Sequence, residues 1–146
     1  MSRATASRVL GVDFGSKRIG LAASDTSNTL ASPLDVLSRA EDPDDDLLAI
    51  LGAAHSIGAK KIVVGLPVRL DGSQGPEARE VLDEVRALRR FARPERITVD
   101  TYDERFSTVI AEQNMLEAKV RKGRRRRLVD AAAATVILQG WLEAHA

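Results

Sequence analysis

Three carboxylates, Asp13, Glu104 and Asp130, stand where a strand, a strand end and a helix start are expected, a distribution that suits convergence on one site. With no cysteine in the chain and only two histidines, His55 and His145, any metal must be held by oxygen, which favours Mg²⁺ or Mn²⁺ over zinc. A pair of such ions about 4 Å apart can activate water and stabilise the leaving oxygen of a phosphodiester. Each acid also has a plainer reading. Asp13 could cap the turn near Gly15, Glu104 could form a solvated ion pair with Arg105, and Asp130 could simply favour the dipole of a helix first turn.

The elements that must position these acids can be read from the pattern. Arg8 to Ala23, RVLGVDFGSKRIGLAA, places Asp13 at the end of one apolar run and before a second, with Gly15 and Ser16 supplying the turn. A hairpin follows. An ionised Asp among buried neighbours is costly unless a cation or several donors hold it. Gly15 and Gly20 would let a phosphate approach the backbone, with Lys17 and Arg18 meeting its charge. Pro33 is expected to end a polar loop, and Leu34, Val36 and Leu37 predict a third antiparallel strand.

The acidic run Glu41 to Asp46 reads as helix-start chemistry rather than a metal loop, with Asp42 at the N-cap and Pro43 at the first helical position. That helix should stop near Gly58, and His55 at its end is assigned no catalytic role. Lys60 to Pro67 fits a buried parallel strand, Pro76 starts an amphipathic helix, and Arg96 to Asp100 predicts a fifth strand. The chain from Thr101 to Thr108 then enters a helix through Val109, Ile110, Gln113 and Leu116. Acids at that carboxyl edge lie where open α/β sheets bind ligands. The last helix is expected from Leu128 to His145.

Charge is separated along the chain, although 22 basic and 21 acidic residues nearly cancel. Lys119 to Arg127, KVRKGRRRR, is a dense basic loop between two helices, and Arg121, Lys122, Arg124, Arg125, Arg126 and Arg127 are its candidate phosphate contacts. With 146 residues the chain fits one domain, residues 1–146, able to bury roughly two-thirds of its unfolded surface. Met1 to Ser7 is expected to fray. No leader or membrane span is apparent, so a cytoplasmic protein with no membrane partner is the simplest expectation.

Four ordered motifs carry a resemblance that covers nearly the whole domain: GVDFGSKRIGLA from Gly11, VVGLPVRLDGSQGP from Val63, DERFST from Asp103 and VDAAAATVILQGWL from Val129. Together they resemble the YqgF/RuvX family, Holliday junction resolvases also described as pre-16S rRNA nucleases, of ribonuclease-H-like fold. The resemblance implies an α/β fold, a five-stranded mixed sheet of order 3-2-1-4-5 with helices on both faces. It assigns Asp13, Glu104 and Asp130 as metal-dependent catalytic acids, and Lys17, Arg18 and Arg105 to phosphate contact. Family members often carry an acid after DERxSTV, where this chain has Ile110 and then Glu112 two positions on. Asp103 or Asp71 is the reserve fourth ligand.

The functions to weigh are therefore a Mg²⁺- or Mn²⁺-dependent endonuclease, a binding protein that attaches to RNA, and a nucleotide-clamping ATPase. The nuclease leads. Its expected partner is structured RNA, including pre-ribosomal particles, or else branched DNA, and a monomer or weak homodimer is expected because no coiled-coil seam or aromatic patch announces a stable pair. Five aromatics, Phe14, Phe91, Tyr102, Phe106 and Trp141, are too few for extensive base stacking. The ATPase ranks last, since only one DxG turn is present and the chain is short for two lobes.

Overall fold

The computed structural model describes residues 7–69, 71–106 and 126–146, of which 106 and 126–130 by backbone alone. Five strands and three helices make up these residues: β1 Arg8–Phe14, β2 Arg18–Ser24, β3 Ala31–Ser38, α1 Pro43–Ile57, β4 Ala59–Leu66, α2 Pro76–Ala92, β5 Thr98–Asp103 and α3 Arg126–Ala144. Short 3-10 turns at Arg93–Glu95 and Glu104–Phe106 flank β5. The sheet order is β3-β2-β1-β4-β5. β1, β2 and β3 pair antiparallel, whereas β4 and β5 join β1 in parallel. The expected helix through Val109, Ile110, Gln113 and Leu116, with Glu112 and the Ser107 cap, lies outside the described residues, as do residues 1–6 of the expected frayed end.

Alternation along β1 and β4 divides the core between two layers. Leu10, Val12, Ile62 and Val64 face one way and pack with Leu47, Ile50 and Ala54 of α1 and Val81, Val85 and Leu88 of α2. Val9 and Val63 face the other way, against Ala134, Ile137, Leu138 and Trp141 of α3. Helices therefore cover both faces, and the strands buried on both sides read as continuous apolar runs. The start of α1 is as the sequence predicts: the Asp44 N–H donates to the Asp42 carboxylate (3.0 Å), Pro43 occupies the first turn, and Gly58 closes the end with φ 71°.

Two expectations need correcting. The fifth strand is not Arg96 to Asp100 but Thr98–Asp103, because β4 continues to offer a parallel partner through Gly65↔Tyr102 and Leu66↔Asp103. Arg96 instead turns the chain with φ 59°. Pro33 does not end a loop; it lies within β3, opposite Ala22 and beside a register shift, which an edge strand tolerates because one side of its backbone makes no ladder bond. Asp46 is a first-turn acid of α1 as expected, and it is also buried: it accepts from the Ala40 N–H (2.9 Å) and from Arg39 (3.3 Å).

Close approach of α3 to β1 depends on Gly11. A Cβ there would sit 2.8 Å from the Leu138 Cβ and 3.1 Å from the Ala134 carbonyl, neither of which can swing aside. Gly11→Ala is thus expected to push α3 off the sheet and destabilise the protein by about 1–3 kcal/mol. Urea unfolding followed by Trp141 fluorescence measures this, and an unchanged midpoint would mean the helix seats itself elsewhere.

Candidate active site

Asp13 reaches its position through strand geometry. It lies two residues beyond Gly11 on β1, on the face that α3 covers, at the carboxyl end of the parallel strands. The turn after it closes through its own backbone, with the Gly15 N–H donating to the Arg18 carbonyl (2.9 Å). Glu104 is the first residue past β5 and shares that end of the sheet. β4 lies between β1 and β5, and its residue at this level is Gly65. Its missing side chain is what makes room: a Cβ on Gly65 would stand 2.9 Å from Oε2 of Glu104 and 2.3 Å from Cδ1 of Ile137.

The electrostatics of this pocket follow from that crowding. Burial pushes the Glu104 carboxyl up to about 7, and the neighbouring charges of Asp13 and Asp103 push in the same direction. Asp103 is held below the ordinary carboxylate range by Arg105, whose guanidinium donates to both of its oxygens (2.7 Å to Oδ2, 3.2 Å to Oδ1) and whose backbone N–H adds a bond to Oδ1 (2.9 Å). The ion pair anticipated between Glu104 and Arg105 is therefore made by Asp103 instead. Asp71 turns inward on its own loop, accepting from the Ser73 N–H (2.9 Å) and hydroxyl (2.7 Å). Both reserve ligands are thus engaged with protein donors.

Helix α3 runs antiparallel to β1. Its last turns, at Trp141, Leu142 and His145, meet Arg8 and Val9 at the start of the strand, while Ala134 and Leu138 meet Gly11 further along. Advancing from Gly11 to Asp13 covers about 6.6 Å of strand, and retreating from Ala134 to Asp130 covers about 6 Å of helix. This register brings the backbone of Asp130 to the carboxyl end of β1. No set of three potential metal ligands closes among the described side chains, a set to which the Asp130 side chain does not belong.

The carboxylates fit a hard divalent cation. Two acids are drawn together in a partly buried place, one of them pushed toward its neutral form, and oxygen donors of this kind suit Mg²⁺ or Mn²⁺. Of the expected phosphate contacts, Lys17 is exposed on the β1–β2 turn, Arg18 opens β2, and Arg105 is committed to Asp103. Arg121, Lys122, Arg124 and Arg125 lie outside the described residues, while Arg126 and Arg127 occupy the first turn of α3.

One residue that positions this site escapes the sequence reading. Arg39 donates through Nε to the Gly15 carbonyl (2.9 Å) and through its two terminal nitrogens to Glu84 of α2 (2.6 and 3.1 Å), besides Asp46 of α1. Its own N–H donates to the Lys17 carbonyl (3.0 Å), and its guanidinium lies 5.3 Å from the centre of the Phe14 ring. The turn after Asp13 is thereby tied to two helices. Its partners stand 24, 7 and 45 residues away, so no local spacing announces them. Arg39→Ala is expected to cost about 2 kcal/mol, since it strands Asp46 and Glu84 without their cation. Thermal unfolding checks this, and a change within experimental error would reduce Arg39 to a surface contact.

The chain is similar to several known proteins. The family model RuvX, described as Holliday junction resolvase, matches residues 7–144. A relative from Myxococcus xanthus named "Putative pre-16S rRNA nuclease" is 40% identical over 142 residues, covering 94% of this chain and 89% of its own. A relative of the same name from Kineococcus radiotolerans is 44% identical over 136 residues, covering 93% and 71%. Among solved structures, RuvC of T. thermophilus in complex with a Holliday junction substrate superposes with a TM-score of 0.60 at 16% identity over 95% of both chains. The fowlpox virus Holliday junction resolvase gives 0.56 at 10% identity, covering 95% of this chain and 99% of its own. These two likenesses show that the chain shares the fold of these proteins.

Proposed function

This chain belongs to the RuvX family, and from that premise we propose that it is a divalent-metal-dependent endonuclease whose catalytic acids are Asp13, Glu104 and Asp130. The observation that carries the reading is the meeting of Asp13 and Glu104 at the carboxyl edge of the sheet, with Glu104 pushed up to about 7. Asp13 and Glu104 would hold Mg²⁺ or Mn²⁺, joined by Asp130 from the start of α3. Bound there, the ion supplies an activated water and charge stabilisation for the leaving oxygen of a phosphodiester. Without the cation the Glu104 carboxyl is pushed up to about 7, so taking up the ion there would displace its proton. Gly65 and Ile137 keep solvent from one side of it. Lys17 and Arg18 on the β1–β2 turn, Arg105 beside β5 and the basic run from Arg121 to Arg127 would draw in the phosphates.

The substrate we favour is precursor 16S ribosomal RNA, on the strength of the names its relatives carry, so pre-ribosomal particles are its expected partners in the cytoplasm. Among the described residues no helix is long and apolar enough to cross a membrane. A second reading rests on the family description: a Holliday junction resolvase, which would pair as a symmetric dimer so that both strands are cut. One assay separates them. A labelled precursor 16S fragment and a four-way DNA junction are incubated with the protein in Mn²⁺, Mg²⁺ or chelator. Metal-dependent cutting of the RNA is the expected result. Cutting of the junction alone would move the assignment to recombination, and binding without cutting of either would leave an RNA-binding assembly factor.

A further inference from the structure

Opposite the carboxylates lies the edge of the sheet where β1, β4 and β5 begin, and two basic pockets open there. One, of about 330 Å³, is lined by Arg8, Lys60, Lys61 and His145 around the side of Trp141. The other, of about 540 Å³, is lined by Arg89, Arg93 and Arg96 together with Ile97, Thr98 and Val99. Lys61 of the first and Thr98 of the second are register partners across β4 and β5, so both pockets lie at the same end of the sheet, the first on its α3 side and the second on its α2 side. Among the described residues no carboxylate lines either pocket. The acids next in sequence to the second pocket's lining are paired, Asp100 at 3.5 Å from Lys61 and Glu95 at 3.0 Å from His55.

Local structure builds this charge rather than leaving it to chance. Consecutive strand residues normally face opposite sides of a sheet, which would send Lys60 and Lys61 apart. The register shifts here, pairing Arg8 with Ala59 but Val9 with Lys61, so Lys60 is the extra residue of a bulge and both lysines reach one pocket. Two arginines are anchored to backbone carbonyls, Arg8 to Ser24 (2.8 Å) and Arg89 to Val99 (2.9 and 3.2 Å), which lowers the entropy lost when their heads meet an anion. Lys61 lies 5.8 Å from the centre of the Trp141 ring, itself stacked on His145 at 4.0 Å.

We propose that this edge is a second nucleic-acid surface, gripping backbone phosphates of a substrate whose scissile strand lies at the Asp13 and Glu104 edge; the second half of that statement rests on the nuclease reading. Arg8 and Asp13 are five residues apart on β1, about 17 Å of strand. The phosphates held here are therefore not those being cut. A substrate engaging both edges must extend over about five nucleotides or more at 3.4 Å each. Contacts of this kind fix register and shape, and carry no base sequence.

The test is binding in chelator, where no cutting occurs, of the full chain to a fluorescent structured RNA across a salt series. Lys60→Glu/Arg93→Glu changes two exposed residues outside the carboxylate edge. The double variant is expected to bind about ten-fold more weakly at low salt, with the slope of log K against log salt reduced by about two. Lys60→Gln/Arg93→Gln should fall between it and the wild type, and decides the matter if the charge-reversed protein fails to fold. Where the wild type cuts RNA, KM should rise with kcat retained. Because binding is read without cleavage, a protein that cuts nothing would still show the loss of affinity. Wild-type affinity and slope in the neutral variant would overturn the proposal, as would a loss seen only with vesicles of anionic phospholipid and not with RNA.

Discussion

Asp13→Asn is expected to lower metal-supported cleavage by about 1,000-fold or more, a loss of about 4 kcal/mol of transition-state stabilisation, while nucleic-acid binding holds or tightens. The substitution keeps the shape of the side chain and removes one anionic oxygen from the pair that would hold the cation. It also removes negative charge facing a polyanion, which is why affinity should not fall. The strand need not move, since residue 13 keeps its place opposite Gly20 on β2. Single-turnover cleavage and binding measured on the same preparation check both halves. Metal-dependent activity retained within ten-fold would remove Asp13 from the site.

Glu104→Gln is expected to change how stability depends on pH. In the metal-free folded protein this carboxyl is pushed up to about 7 by burial and by the charges of Asp13 and Asp103, whereas the unfolded chain ionises it near 4.5. Below 4.5 both states carry the proton and the group is neutral in its effect. Between 4.5 and 7 the unfolded state loses the proton first, so the folded state binds more protons and stability falls as pH rises. Above 7 the loss is complete. Read at 1.36 kcal/mol per unit and discounted for partial solvent access, it is on the order of 2 kcal/mol. An amide in place of the carboxyl removes this component, so the variant should be more stable than wild type at pH 8 in chelator and equal to it at pH 4. Saturating Mn²⁺ should remove much of the wild-type slope, because a bound cation favours the ionised form. Urea unfolding at both pH values, with and without Mn²⁺, reads all four conditions, and parallel pH profiles for the two proteins would contradict the burial of Glu104.

Much of this architecture is legible in local chemistry. Asp42, Pro43 and Gly58 mark the ends of α1 through capping and backbone conformation, which depend on neighbours in sequence. The continuous apolar run of β4 announces a strand covered on both faces, and the glycines around Asp13 announce the turn. Contacts made across the fold are not legible in this way. Arg39 is an isolated arginine until β3, α1 and α2 converge on it, and Asp46 passes for one more first-turn acid. Gly65 reads as a strand-end glycine, although its role is to admit the Glu104 carboxylate and Ile137. The end of β5 is set by what β4 offers as a partner, beyond the reach of alternation at Ile97 and Val99. The bulge that turns Lys60 toward Lys61 leaves no trace in composition.

In the proposed site Asp13 and Glu104 hold one divalent cation together, and calorimetric titration of Mn²⁺ into the wild type, Asp13→Asn and Glu104→Gln at neutral pH tests that directly. Binding by the wild type, weakened at least ten-fold in each variant and accompanied by proton release that Glu104→Gln lacks, is the result expected. Equal Mn²⁺ affinity in all three proteins would contradict it.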